Sequence, residues 1–137
     1  MLNQENTPGG TEQTTTKLIF VVDDDKEIGL LVIRVIEQET SHHVHHHLNG
    51  KQALQAITVH TPHLFILDYG LPDMTGLELH DQLHNFEHLK DTPTLLMSAQ
   101  TPPMQEVRQR QITFLPKPFN LTDFLHAVGT CLGEVAD

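Results

Sequence analysis

LIFVVDDDKE, residues 18–27, places five apolar residues directly before three aspartates. An uninterrupted apolar run of this length is typical of a strand that is buried on both faces of a parallel sheet. Three neighbouring carboxylates repel one another, by about 4 kcal/mol for a close pair at an effective dielectric constant of about 20. A bound cation, a solvated turn or protonation of one acid would relieve that repulsion, and the rest of the chain has to decide among them.

Length and charge limit the class of protein. The chain has 137 residues, enough for one domain with a single core. It carries 8 Lys and Arg against 18 Asp and Glu, a net charge of −10 with neutral histidines, which opposes direct binding to nucleic acid. No apolar run approaches the roughly 20 residues that cross a bilayer, and the start of the chain has no signal-peptide pattern. We therefore expect a cytoplasmic protein without a nucleic acid or membrane partner.

The chain divides into a polar start and a patterned remainder. Residues 1–16 are polar and lack periodicity, which predicts a flexible tail, and the folded domain is predicted over 17–137. Apolar runs typical of strands lie at 18–22, near 44–48, and at 64–67, 94–97 and 112–115. Helical apolar spacing follows them, around 28–36, 53–57, 79–86, 104–107 and 121–132. The last pattern includes the one cysteine, Cys131, which we expect to pack in the core.

Five strands that alternate with helices predict an α/β fold, a doubly wound five-stranded parallel sheet with helices on both faces. In open sheets of this class, ligands bind beyond the carboxyl ends of the strands. Polar side chains follow four of the five predicted strands, namely Asp23 and Asp24, then Asp68, then Ser98, then Lys117. The sequence therefore predicts one cleft that contains all five.

The predicted cleft has the groups needed for metal-assisted phosphoryl transfer. A cluster of Asp23, Asp24 and Asp68 suits a hard cation such as Mg²⁺. A carboxylate beside Mg²⁺ can act as a nucleophile toward phosphorus, while Ser98 and Lys117 hold the phosphoryl oxygens. Asp68 stands alone at a strand end and is the best nucleophile candidate, which would yield an aspartyl phosphate.

Each of these residues also has a plain structural interpretation. Three aspartates after a strand can form a solvated turn and a helix start. Asp68 can be a turn residue before Gly70 and Pro72, and a single serine or lysine carries almost no information. Their joint placement at successive strand ends is what favours a site.

The same positions fall in four motifs, VVDD at 21–24, LDYGLPDMTG at 67–76, Ser98-Ala99 and Lys117-Pro118-Phe119. Through these motifs the chain from Lys17 to about Leu132 resembles a response-regulator receiver domain, the phosphoacceptor module of two-component signalling. The resemblance implies that Asp23, Asp24 and Asp68 hold Mg²⁺ together with the backbone carbonyl of Gly70.

The resemblance also implies a reaction and a switch. Asp68 would accept a phosphoryl group from the phosphohistidine of a histidine kinase or a histidine phosphotransfer protein, and Ser98 and Lys117 would bind the phosphoryl oxygens. Ser98 would then move toward the phosphate while Phe114 swings into the vacated space, although Phe114 by itself reads equally as a core aromatic. A cis peptide bond between Lys117 and Pro118 is a further expectation from the family.

The region of the fourth helix departs from the family. Only positions 100–113 separate Ala99 from Phe114, which is shorter than the family usually has. Pro102 and Pro103 can begin a helix but cannot lie inside one, so the fourth helix is predicted to be shortened or irregular. Receivers commonly use this surface to dimerise or to reach an output, and the shortening bears on those contacts.

The histidine run HHVHHH at 42–47 allows two interpretations. His43, His45 and His47 would share one face of a strand, where they could bind a metal. A solvated edge strand is favoured, because zinc sites usually recruit ligands from separate segments and no cysteine or carboxylate is close by in sequence.

We expect a stand-alone receiver, because the sequence ends at Asp137 without a helix-turn-helix after the last helical pattern. Phosphorylation would switch a surface for an unidentified output protein, or the chain would shuttle phosphate in a relay. An aspartyl-nucleophile phosphohydrolase is the rival enzyme, but such enzymes typically place an acid two residues after the nucleophile, where this chain has Gly70. A module that never gains phosphate is the last alternative. We therefore expect a phosphoacceptor and not a turnover enzyme.

Overall fold

The computed structural model describes residues 15–134, which form a five-stranded, all-parallel sheet in the order β2-β1-β3-β4-β5. The strands are β1 (Leu18–Val22), β2 (His43–His47), β3 (Leu64–Asp68), β4 (Thr94–Ser98) and β5 (Thr113–Pro116). The helices are α1 (Lys26–Glu39), α2 (Gly50–Ala56), α3 (Gly76–His84), α4 (Met104–Gln109) and α5 (Leu121–Leu132), with a short 3₁₀ helix at Glu87–Leu89. The predicted doubly wound sheet is confirmed.

The predicted tail lies, apart from residues 15 and 16, outside the described part of the chain, and so do residues 135–137. Between 15 and 134, none of the helices combines the length and the apolar character needed to cross a membrane.

Side chains of each inner strand alternate between two apolar layers. In β1, Phe20 and Val22 face the layer under α2, α3 and α4, whereas Ile19 and Val21 face the layer under α1 and α5. All four are fully buried. At about 1.5–3 kcal/mol for each large apolar side chain buried, these two layers supply the main stabilisation of the fold. Because β1 is covered on both faces, its apolar run is continuous and not alternating.

Two boundaries differ in detail from the predictions. Asp68 is the last residue of β3 and not the residue after it. Helix α3 ends at His84, so Phe86 lies beyond it and is 42% exposed, while Leu89 of the 3₁₀ helix is buried. The predicted shortening of the fourth helix is confirmed, since α4 has only six residues and Val107 is its one buried side chain.

The histidine run forms β2, which lies at the edge of the sheet as predicted. Its solvation is less complete than expected. His43 is exposed, His45, His46 and His47 are half-buried, and His42 is buried just before the strand. Cys131 is also only half-buried, where it packs against the layer under α1 and α5, and burial raises the pKa of its thiol.

His42 joins the two ends of the described chain. Its Nδ1 accepts a hydrogen bond from the backbone N–H of Lys17 at 3.1 Å, so its Nε2 carries the proton and donates to the Glu134 carboxylate at 3.0 Å. The Lys17 ammonium donates to the carbonyl of Leu132 at 3.3 Å. With His42 only 5% exposed, these contacts attach the end of α5 to the start of β1.

His42→Ala should lower the free energy of unfolding by about 1–3 kcal/mol, because it leaves the Lys17 N–H without its partner in a buried setting. Urea denaturation measures the change. His126→Ala, an exposed histidine on α5, is the control and should stay within about 0.5 kcal/mol of the wild type. Equal stability of the two variants would show that the His42 contacts do not hold the ends together.

Candidate functional site

The carboxyl ends of the strands surround a cleft of about 230 Å³. Its lining includes every residue that was predicted to form the cleft. It also includes Asp25, Ala99 and Gln100, which were not predicted as ligands. The lining residues are Asp23, Asp24, Asp25, Asp68, Gly70, Ser98, Ala99, Gln100 and Lys117. Phe114 is not among them.

Parallel register brings the acids together. Val22 of β1 pairs with Leu67 of β3, so the chain leaves both strands at the same level with Asp23 and Asp68 side by side. One carboxylate oxygen from each of Asp23, Asp24 and Asp68 lies within 4.8 Å of the others. Asp23 is 1% exposed and Asp68 is 9% exposed, whereas Asp24 faces solvent. A compact set of hard oxygen donors, open on one side to water, fits Mg²⁺, which keeps several of its waters when bound.

The third acid of the opening motif has a separate task. Asp25 is the N-cap of α1, and its carboxylate accepts hydrogen bonds from the backbone N–H groups of Glu27 at 2.9 Å and Ile28 at 3.4 Å. Its own backbone N–H donates to Oδ1 of Asp23 at 2.9 Å. Helix capping therefore accounts for Asp25, and its N–H fixes the orientation of the Asp23 carboxylate.

Lys117 lies between the two buried acids. Its ammonium donates to Oδ2 of Asp23 at 2.8 Å and to Oδ1 of Asp68 at 3.0 Å. Burial alone would lower the pKa of Lys117, but the hydrogen bonds to Asp23 and Asp68 outweigh it and raise the pKa above its usual range. Lys117 therefore stays charged and partly neutralises the acids.

The backbone around Lys117 aims it into the cleft. Its N–H donates to the carbonyl of Ser98 at 2.8 Å, which extends the pairing of β4 and β5 by one step. The peptide bond between Lys117 and Pro118 is cis, as expected.

Burial raises the pKa of Asp68 above the usual value for an aspartate. The hydrogen bond from Lys117 acts in the opposite direction, and the charges of Asp23 and Asp24 add to the increase. Asp68 thus has a raised pKa at the position where a strand ends and the side chain reaches the cleft.

Ser98 and Gly70 complete the walls, and Gly76 packs behind Asp68. Ser98 is 4% exposed, and its Oγ accepts a hydrogen bond from the N–H of Gln100 at 3.0 Å, so its hydroxyl proton remains available for donation. A Cβ at Gly76 would lie 2.6 Å from the carbonyl oxygen of Asp68, so only glycine permits the start of α3 to pack behind the acid. A Cβ at Gly70 would meet nothing within 4 Å, which leaves that side of the cleft open.

His46 supports the site, a role that was not predicted from the sequence. Its Nε2 donates to the backbone carbonyl of Asp23 at 2.8 Å, while the Asp23 N–H donates to the carbonyl of His47 at 3.0 Å. The imidazole rests on Gly29 of α1, where any Cβ would collide with the ring. A glycine on α1 and a histidine on an edge strand give no sequence signal of contact, because they are linked only by the packing of α1 on β2.

Phe114, on β5, is half-buried and packs against the apolar layer under α2, α3 and α4. Its role as the aromatic partner of Ser98 in a switch stays a prediction.

Lys117→Met should raise the pKa of Asp68 further, because the substitution removes the effects of Lys117 that lower the pKa and leaves burial and the neighbouring acids in place. A pH titration of the Asp68 side-chain carboxyl by ¹³C NMR measures the change. Lys90→Met removes a surface ammonium that pairs with Glu87 at 2.9 Å and should leave the Asp68 titration unchanged. An unchanged or lower Asp68 pKa in Lys117→Met would contradict the described charge balance.

Known proteins are similar to this chain in sequence or in structure. Polar-differentiation response regulator DivK from Brucella ovis is 26% identical over 122 residues, which cover 87% of this chain and 98% of that protein. Chemotaxis response regulator CheY4 of Vibrio cholerae superposes with a TM-score of 0.79 at 26% identity, with coverage of 86% of this chain and all of that one.

A third similar protein is response regulator TrrA from Thermotoga maritima, solved in complex with Mg²⁺-BeF, with a TM-score of 0.74 at 26% identity and coverage of 85% of this chain and 99% of that one. A family model described as the response regulator receiver domain matches residues 19–129, which span β1 through most of α5. This chain therefore belongs to the response regulator receiver domain family.

Proposed function

We propose that this receiver accepts a phosphoryl group onto Asp68 from the phosphohistidine of a histidine kinase or a histidine phosphotransfer protein, in a Mg²⁺-dependent reaction. The observation that carries the proposal is the cleft in which Asp68, two further acids and the Lys117 ammonium converge. The TrrA relative, crystallised with Mg²⁺-BeF, supports it.

The proposed reaction is a displacement at phosphorus. An oxygen of the Asp68 carboxylate forms the new P–O bond while the P–N bond of the donor phosphohistidine breaks. The electron pair of the broken bond returns to the imidazole nitrogen of the donor. The raised pKa of Asp68 makes its carboxylate a stronger nucleophile, and the charge of Lys117 keeps it ionised.

Each wall of the cleft has a part in this proposal. Lys117 and the Ser98 hydroxyl bind the phosphoryl oxygens, a role that is consistent with their location beside Asp68 in the cleft. Asp23, Asp24 and Asp68 hold the metal, with the backbone carbonyl of Gly70 as a further oxygen ligand. When bound there, Mg²⁺ supplies positive charge that screens the incoming phosphoryl group from the acids.

The proposed output is a change in a protein-interaction surface. Ser98 would move toward the phosphate, and Phe114 would move into the space that Ser98 leaves. These movements would shift the conformational equilibrium of the surface beside β5 by the 1–3 kcal/mol that is typical of allosteric coupling. A phosphate shuttle in a relay uses the same first step and is the alternative. An output protein, and not nucleic acid, is the proposed target, because the net charge of −10 opposes binding to phosphate backbones.

We do not propose a turnover phosphohydrolase. Gly70 occupies the position where such enzymes typically hold a second acid, and a Cβ built at Gly70 would meet no atom of the described residues within 4 Å. The proposed role is that of a phosphoacceptor, which gains a phosphoryl group and later loses it.

Incubation with acetyl phosphate and Mg²⁺ should add one labile phosphoryl group to the wild-type chain, seen by intact-mass analysis. Asp68→Asn should not gain the adduct, because the amide lacks the nucleophilic carboxylate oxygen, and EDTA should prevent labelling of the wild type. Asp91→Asn, at an exposed position away from the cleft, is the control and should be labelled normally. Labelling that persists in Asp68→Asn would move the acceptor elsewhere, and release of phosphate from many equivalents of a stable phosphoester would favour the hydrolase.

Ser98→Ala should slow phosphorylation of Asp68 by at least about tenfold, since one hydrogen-bond donor to developing charge is typically worth roughly 10²–10³ in rate. The rate is followed by quenched intact-mass analysis at fixed acetyl phosphate. Thr101→Val removes a nearby exposed hydroxyl that does not line the cleft and should react at the wild-type rate. Equal rates for the wild type and Ser98→Ala would argue against a role for Ser98 in the phosphoryl site.

A further inference from the structure

A second group of potential metal ligands lies on the other side of β2 from His46. It consists of His45 and His47 of the edge strand and His60, which follows α2, and we refer to these three residues as the imidazole cluster. Residues two apart on a strand point to the same face, so His45 and His47 lie side by side at a spacing of about 6.6 Å along β2. Their face is the one that carries Phe20 of β1.

The structure brings His60 to this face from a different segment. The ring centroids of His45 and His60 are 4.7 Å apart, and the rings meet edge to face at 83°. The backbone N–H of His60 donates to the backbone carbonyl of Ala56 at 3.0 Å, so the last turn of α2 holds the residue in place. The run at 42–47 alone lacked a ligand from a separate segment, and His60 supplies it.

The floor of the cluster is apolar. The ring of the fully buried Phe20 lies 4.5 Å from that of His47 and 5.9 Å from that of His45. Nε2 of His47 is buried, and it has no hydrogen-bond partner among the described residues. A buried imidazole nitrogen without a partner is unfavourable, and coordination to a metal would satisfy its lone pair.

The protonation state suits metal binding. Burial, and next the neighbouring His60, lowers the pKa of His45, which favours its neutral form. A neutral imidazole is the form that binds a metal.

We propose that His45 and His60 bind a Zn²⁺ ion, with His47 as the third protein ligand. Imidazole nitrogen is a preferred ligand of Zn²⁺, whereas Mg²⁺ prefers the oxygens of the acidic cleft, so the chain has two sites of different chemistry. Three histidines leave a fourth, open coordination position for water. Within residues 15–134, only Asp23, Asp24 and Asp68 form a group of three potential ligands with atoms within 4.8 Å of one another. The three histidines are therefore not yet close enough, and His47 reaches the ion by rotating its side chain.

The test is calorimetric titration of the full chain with ZnCl₂ in the presence of millimolar Mg²⁺, which competes with Zn²⁺ for the acidic cleft. One Zn²⁺ should bind per chain. His45→Ala and His60→Ala should each weaken binding at least tenfold, because each removes one of the three proposed ligands. His126→Ala, an exposed histidine on α5, should bind Zn²⁺ like the wild type.

Circular dichroism of each variant shows whether it remains folded, and His60→Gln provides a second variant at an exposed position. Absence of Zn²⁺ binding to the wild type would overturn the proposal. So would unchanged affinity in folded His45→Ala and His60→Gln, or a loss of affinity in Asp24→Asn that equals the loss in His60→Ala, since the ion would then occupy the acidic cleft.

Discussion

Repulsion among carboxylates at the end of a buried sheet is the constraint on which the rest of this structure depends. Asp23 and Asp68 are almost fully buried and Asp24 lies beside them. Burial favours the protonated form of Asp68, and a single ammonium, that of Lys117, opposes this by bonding to both buried acids. The domain therefore maintains a local excess of negative charge that a divalent cation would reduce. Together with burial, the charges of Asp23 and Asp24 raise the pKa of Asp68.

The parallel topology explains how residues far apart in sequence share this cleft. Strands that run in one direction end at one edge, and the central position of β1 and β3 places their ends next to each other. Helices α1 and α3 then begin at that same edge. Their N-termini are fixed by the Asp25 cap and by the close approach of Gly76 to Asp68. Helix capping and acid placement are thus parts of the same local structure.

The sheet, its helices and the lining of the cleft could be predicted from the sequence, because each depends on the local pattern of apolar and polar residues. Apolar runs mark the strands, and a polar residue directly after a strand must lie at the sheet edge, which located Asp23, Asp68, Ser98 and Lys117. Contacts set by packing between distant segments were not accessible in this way. The support of Asp23 by His46, the bridge from His42 to Glu134 and the approach of His60 to His45 all depend on how helices and the edge strand settle against one another. Phe86 was misplaced because helical spacing continues past the residue where α3 ends.

The short α4 has an energetic consequence for the region after Ser98. With one buried side chain and no side-chain cap at its N-terminus, this six-residue helix has little tertiary contact to offset the entropy of ordering its backbone. Isolated helices of this length are unstable in water, so its free energy of local unfolding lies near the low end of the range for the domain. Rearranging this face therefore costs little free energy compared with disrupting the sheet beneath it.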